Sequence, residues 1–446
     1  MEERKAKGET VKGSAGKDLI SNLPDALISQ MLLYLPTKEA VRTSVLSNRW
    51  KSLWLLIPEF DLASTEFSDY TASFVCFMDR LLGFCRLEKS CLHKLKLSVR
   101  KDGNDQVCVT RWIDFVATPN LKHLDVEFVG PVKRECLEVM PLSLYVCETL
   151  LYLRLHRVLL DNFKSVSLTR LKTLHLEENE YANEAGPELL ISSCPVLEDL
   201  SIVRRPDDNA KVLRVNSQTL TSLSIEVGGR DDEDDEGFDE DNSVVLIDAP
   251  RLKYLNFEDE VSHSKIISNS GSLTKVNIVG DFSLWEDKLQ MRKFFTSISG
   301  VKDMKLSWRA FEVIDTIMPL PQFCNLSCLE AELYSASMED LPTYLESFPN
   351  LKSLTLDVLY CTMREEVRLS LVPQCLLSSL EFVEIKGIFW GAPTKMEVVA
   401  RYFAENAVVL KKLVLRCGGS VLVQDSISRD LFALLKRSTT CQIILC

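Results

Sequence analysis

The chain has 446 residues, 46% of them hydrophobic, enough for a large core spread over two or three domains. Its net charge of −12 excludes a general nucleic-acid binder, which needs a basic face for phosphates. No apolar run approaches the roughly 20 residues that cross a bilayer, so no membrane partner is expected.

Residues 1–17 are polar and Lys-rich, without the apolar stretch of a secretory signal. They read as a disordered tail on a protein of the nucleus or cytoplasm. Three short amphipathic helices are predicted next, within 18–60. Pro24 suits a first helical turn, where its missing N–H costs nothing. Leu23, Leu27, Ile28, Met31 and Leu32 then recur at helical spacing. Pro36 ends that helix, and Thr37 is positioned to cap the second, whose stripe is Val41, Val45 and Leu46. Ser47 or Asn48 would cap the third, which carries Trp50, Leu53 and Trp54 on one face. Three apolar stripes with so little chain to cover them predict a docking surface that a partner completes.

The quoted residues carry a resemblance. Leu23-Pro24-Asp25, Leu27-Ile28, Leu35-Pro36 and the closing Val45-Leu46-Ser47-Asn48-Arg49-Trp50-Lys51-Ser52-Leu53-Trp54 resemble the F-box. The resemblance implies that the module binds the Skp adaptor, and through it a cullin ubiquitin ligase. The adaptor contacts implied are Leu23, Pro24, Leu27, Ile28, Leu32, Val45, Leu46, Trp50, Leu53 and Trp54. The module is expected to be separable, so that Trp50→Ala would leave the rest of the chain folded.

Residues 61–90, with Phe74, Phe77, Leu81, Leu82 and Phe84, predict a helical linker. From 91 to 360 one pattern returns: apolar, two residues, apolar, one residue, apolar. Leu92-Leu95-Leu97 is the first copy and Leu351-Leu354-Leu356 a late one, with a weaker copy at Leu326. Successive copies start 21 to 32 residues apart. The last two apolar residues of a copy point to the same side of a short strand, which one copy cannot bury but a stack can. The fold class predicted is α/β: a three-helix F-box, then an irregular leucine-rich-repeat solenoid with a parallel sheet on its concave face. Helices or irregular chain would return along the convex side. Ile191-Ser192-Ser193-Cys194-Pro195-Val196-Leu197-Glu198-Asp199-Leu200 resembles the repeats of plant F-box proteins. Inside this region, 231–241 holds nine acidic residues and no basic one, predicting an extended loop at 230–242.

Residues 361–446 read as strand, helix over Met396–Leu410, strand, and a closing helix near Arg429–Arg437. With Val372-Pro373-Gln374-Cys375-Leu376 leading into Leu380–Gly387, this end resembles the FBD domain. It is expected to cap the last repeat as an α/β unit.

Fourteen cysteines lack any CxxC pair and read as reduced, buried, small apolar residues. Neither a nucleophile elbow, a phosphate loop nor an HExxH helix occurs, so no catalytic residue, cofactor or metal is expected. On the strands, side chains between the inward ones face the concave surface, where Tyr152, Arg154, His156 and His175 form the candidate substrate contact. The expected function is a non-catalytic receptor that holds a target protein for ubiquitination. Two alternatives stay open: a scaffold that ubiquitinates nothing, and a small-molecule receptor, which would need Arg and Lys converging inside the arc.

Overall fold

The computed structural model describes residues 20–69, 72–87, 92–101, 109–130, 136–161, 166–205, 208, 210–227, 243–258, 264–280, 287–334, 338–359, 369–387, 393–417 and 441–445. The tail 1–17, the acidic run 230–242 and the helix expected near Arg429–Arg437 lie outside these residues.

Helix α1 spans Asp25–Leu32 and α2 spans Thr37–Arg42, each entered from an extended proline, Pro24 and Pro36. Thr37 does not cap α2. It is the first helical residue, and its hydroxyl accepts the backbone N–H of Asp61 at 2.8 Å. The third helix is also displaced. Trp50 closes a turn on Ser47, and a 3-10 helix follows at Leu53–Leu56, preceded by Ser52 rather than by Ser47 or Asn48. Helix α3, Ala72–Leu87, buries Phe74, Met78, Leu81, Leu82 and Cys85.

Twenty strands lie among the described residues, the first of them ahead of α3 in the chain. The first ten are β1 Glu59–Ala63, β2 Lys94–Arg100, β3 His123–Val129, β4 Tyr152–His156, β5 Leu159–Leu160, β6 Thr173–Glu177, β7 Glu180–Tyr181, β8 Asp199–Arg204, β9 Val212–Asn216 and β10 Ser222–Val227. Then come β11 Val244–Asp248, β12 Tyr254–Glu258, β13 Ser264–Ser268, β14 Lys275–Val279, β15 Asp303–Leu306, β16 Cys328–Tyr334, β17 Ser353–Leu359, β18 Phe382–Gly387, β19 Lys412–Cys417 and β20 Gln442–Leu445. Fifteen of them make one parallel sheet in the order β1-β2-β3-β4-β6-β8-β10-β12-β14-β15-β16-β17-β18-β19-β20.

The repeat pattern explains this sheet residue by residue. The first apolar residue closes a turn three residues back: Leu121 N–H on Thr118 O, Leu197 on Cys194, Leu252 on Ala249, Leu351 on Phe348. The next two amides share one carbonyl of the preceding repeat, as Leu151 and Tyr152 share Lys122 O, which fixes the register. The remaining two apolar residues then stack in columns, Leu124 on Leu153 on Leu174 and Val126 on Leu155 on Leu176, all fully buried. Truncating one such leucine to alanine costs about 2–5 kcal/mol, the usual range for a close-packed interior.

Asn179 adds a second device. It is 3% exposed, donates to Leu155 O at 2.8 Å and accepts the Val158 N–H at 3.0 Å, tying two repeats beyond their strands.

Four features depart from expectation. The sheet starts at β1, within the docking module, and β1 pairs along its whole length with β2. One apolar cluster runs from Ile28 to Leu415, with the Trp54 ring 6.4 Å from Phe60 and 6.2 Å from Phe84. The interior of the module is therefore continuous with the first part of the repeat core. The return side is also not only helical: β9, β11 and β13 form a second parallel sheet. Finally, the cysteines described as free include three exposed ones, Cys76, Cys324 and Cys328, so burial is not general.

The C-terminal region extends the sheet. Strands β18 and β19 add parallel to β17, the helix Pro393–Asn406 connects them, and β20 closes the order. No helix among the described residues is long and apolar enough to cross a membrane.

Candidate interaction surfaces

The docking module divides the ten candidate residues into two sets. Ile28, Leu32, Trp50, Leu53 and Trp54 are buried and form its interior, while Leu23 is half-buried against the same core. Pro24, Leu27, Val45 and Leu46 are exposed, Val45 at 85%. Met31, Leu33, Tyr34 and Leu35 join them at the surface. A soluble domain seldom leaves so many large apolar side chains uncovered within one small unit. The signal for the last four was the unbroken apolar run Met31–Leu35, which one helix face cannot bury. Arg49 holds the arrangement together. It donates to Asp25 Oδ1 at 2.6 and 3.1 Å and to the carbonyl of Leu23, joining the start of α1 to the turn after Leu46.

The second candidate lies on the solvent-facing side of the sheet, where β3, β4, β6 and β8 are neighbours. Register brings the four residues together: Tyr152 and Arg154 on β4, His175 beside Arg154 on β6, and His156 at the end of β4. The Tyr152 ring lies between two imidazoles, stacked on His123 at 5.8 Å and edge-on to His175 at 5.5 Å.

Arg154 is not available to an anion. It donates to Glu177 at 2.5 and 2.8 Å and to Asp125 at 3.2 Å, with Glu127 at 3.8 Å. Its bonds to Glu177, together with the charge there, push the guanidinium above its usual range. Burial lifts the Asp125 carboxyl, against the pull of Arg154. The His175 ring, 3.8 Å from Asp199, holds that carboxyl below the usual range. Burial lowers the His123 and His156 imidazoles, and raises the Tyr152 phenol with help from Asp125. His156 Nδ1 is buried without a hydrogen-bond partner.

Strand ends here are tightly built. Arg157 and Glu178, directly after β4 and β6, both take left-handed backbone, with φ of 56° and 50°. Arg157 bridges their turns, donating to Glu178 at 2.6 Å and to Gly130 O at 2.8 Å. Nothing in the residue pattern marks these non-glycine left-handed positions. Among the described residues of this patch, the converging Arg and Lys that a receptor for a small acid requires are not found. Lys94 pairs with Glu59 and Lys96 with Asp61, as Arg154 pairs with its own carboxylates.

Helical docking module, repeat sheet and C-terminal strands define an F-box protein with a leucine-rich-repeat body. Family comparison matches residues 20–60 to the F-box domain, 109–310 to the LRR repeats of FBD-associated F-box protein At5g56370, and 368–415 to FBD. Among Arabidopsis thaliana proteins, FBD-associated F-box protein At5g22730 is 57% identical, covering 98% of this chain and 97% of its own length. FBD-associated F-box protein At5g44490 is 54% identical over 96% of this chain and 91% of that protein. F-box/FBD/LRR-repeat protein At5g22700 is 43% identical over 96% and 97%. The chain belongs to this plant family of FBD-associated F-box proteins with leucine-rich repeats.

Proposed function

We propose that the chain is the target-recognition subunit of a cullin-based ubiquitin ligase. The observation that carries this reading is the uncovered apolar crest of the F-box, Leu27, Met31, Val45 and Leu46 above all, on a module whose interior is already complete. A Skp-type adaptor would cover that crest, and the cullin would join through the adaptor. The buried members of the set, Ile28, Leu32, Trp50, Leu53 and Trp54, would act by holding the crest in shape.

In this reading residues 18–60 dock, 61–90 connect, 91–360 hold a target protein on the outer face of the sheet, and 361–446 close the end. F-box proteins are in general adaptors without chemistry of their own, and catalysis here would be proximity. A rigid sheet presents a target lysine to a charged ubiquitin carrier. Tyr152, Arg154, His156 and His175 would lie in the target contact, with Arg154 acting through the carboxylates it orients. The complex would work in the nucleus or cytoplasm.

Co-purification of the full chain with a Skp-type adaptor tests this reading, beside a Leu27→Glu/Val45→Glu variant that keeps its thermal midpoint. Retention of the adaptor by the intact chain alone supports it. Failure of the well-folded intact chain to retain an adaptor overturns it.

A further inference from the structure

Helix α3 belongs to the residues that connect the docking module to the repeats, yet its last turn leaves apolar surface bare. One face of the helix is accounted for. Phe74, Met78, Leu81, Leu82 and Cys85 are buried, and the Phe74 ring stands edge-on to Trp112 at 5.6 Å. The last turn differs. Phe84 is 51% exposed and Leu87 77%, and their spacing of three puts them on one face. Gly83 beside them is also exposed, and a Cβ placed there would meet no atom within 4 Å. Glycine inside a helix weakens it relative to other residues, and here its small size serves no contact among the described residues. Such a place suits the close approach of another backbone.

This turn is joined to the F-box crest. The buried Trp54 ring lies edge-on to Phe84 at 6.2 Å. Its 3-10 helix, Leu53–Leu56, packs on α1 and on the 3-10 turn Thr43–Val45, which carries Val45 of the crest. Leu56, at the end of that helix, is 56% exposed. Exposed apolar residues thus stand on each of the adjoining elements, Val45, then Leu56, then Phe84 and Leu87. The outer face of the sheet lies elsewhere. Phe74 packs α3 into the core on the return side, against the helix Val109–Val116.

We propose that the Skp-type adaptor reaches past the F-box onto α3, seating an apolar-faced helix across Gly83 and against Leu56, Phe84 and Leu87. The proposal rests on the reading that an adaptor covers the crest, and it carries the docking surface on to residue 87. Continuity selects this occupant, because a partner seated on Val45 is already beside the 3-10 helix that abuts Phe84. A target held on the outer face of the sheet would stand on the other side of the core. An adaptor that grips α3 holds the repeat body directly, so it fixes the direction in which the sheet points.

The test measures the affinity of the full chain for a Skp-type adaptor by calorimetry, with the thermal midpoint of each free chain beside it. Leu87→Glu is expected to weaken binding at least tenfold without moving the midpoint. Gly83→Gln should raise the midpoint, because glutamine is the better helix former, and still weaken binding at least fivefold. A purely structural role for α3 cannot give that combination. Leu289→Glu charges a comparably exposed leucine on another helix and should leave the affinity within twofold. Unchanged affinity in both α3 variants, while Leu27→Glu/Val45→Glu abolishes binding, overturns the extension and leaves the ligase reading standing. Absence of binding by the well-folded intact chain overturns both. Self-association of the free chain that Leu87→Glu abolishes, with adaptor affinity intact, assigns the surface to a second copy and also overturns the proposal.

Discussion

The hydroxyl of Thr37 accepts the backbone N–H of Asp61 at 2.8 Å, so a side chain of the second F-box helix closes the outer edge of the first sheet strand. An edge strand left bare presents unpaired amides. Here the docking module covers that edge, and Lys38, seated 4.4 Å over the Phe67 ring, holds the next turn to the same helix. The F-box is thus fixed in angle to the sheet.

Removing that bond should cost stability across the joint. Thr37→Val keeps the shape but leaves the Asp61 amide unsatisfied, a loss of about 1–3 kcal/mol. Urea unfolding would read it as a lower midpoint, with Thr37→Ser close to the native value. An unchanged midpoint in the valine variant would show that water replaces the hydroxyl.

Asn179 should be among the costliest polar residues to replace. Asn179→Leu removes two buried backbone hydrogen bonds, and about 3 kcal/mol is expected. Asn325→Ala serves as the comparison, because its contact to Gly300 O is long, 3.4 Å, and exposed. It should stay within about 0.5 kcal/mol of the native chain. Equal effects from the two would remove the special role of Asn179.

The two sets of F-box residues should separate in experiment. Val45→Glu or Leu46→Glu is expected to abolish adaptor retention with no change in thermal midpoint. Trp54→Ala should instead lower stability by about 3–5 kcal/mol, because a buried aromatic leaves a cavity. Since the interior is continuous, that loss should spread into the first repeats, visible as faster amide exchange in β1 and β2. Exchange confined to residues before β1 would restore a separable module.

Acid should weaken the fold through two of its histidines. The unfolded His156 and His123 imidazoles take up protons near pH 6.5. In the folded chain burial holds both lower. As pH falls through 6.5 toward those folded values, the unfolded state binds more protons and stability drops, while above about pH 7 both states are neutral and the curve is flat. Thermal midpoints at pH 7.5 and 5.5 should show the drop, and His156→Gln should reduce it. An identical drop in that variant would exclude His156 as a source.

The sheet was largely legible in the sequence, because each leading apolar residue, Leu121 or Leu197 for example, sets its own turn. Even the weaker copy at Leu326 leads into a strand, β16. Strand β1 carries the same spacing in Ile57, Phe60 and Leu62, but it lies within the span of the F-box pattern, which hides it. Strand β20 lacks an apolar leader, Thr440 standing where leucine stands elsewhere. The return strands β9, β11 and β13 each bury only two positions, such as Leu213 and Val215, too short a pattern to distinguish from irregular chain. At the candidate site, residue types were readable but charge state was not. That Arg154 is already held by Glu177 and Asp125 follows only from the register of β3, β4 and β6.

Fifteen strands in one register make the body of this protein a ruler. At about 4.8 Å per interval, the F-box edge and the last strand are about 67 Å apart along the sheet. Lengthening or shortening the chain by one whole repeat would move everything beyond that point by a single gradation of about 5 Å. The crest at the near end would not shift. Reach between adaptor and cargo therefore changes only in discrete steps, and a fragment of a repeat cannot supply an intermediate one.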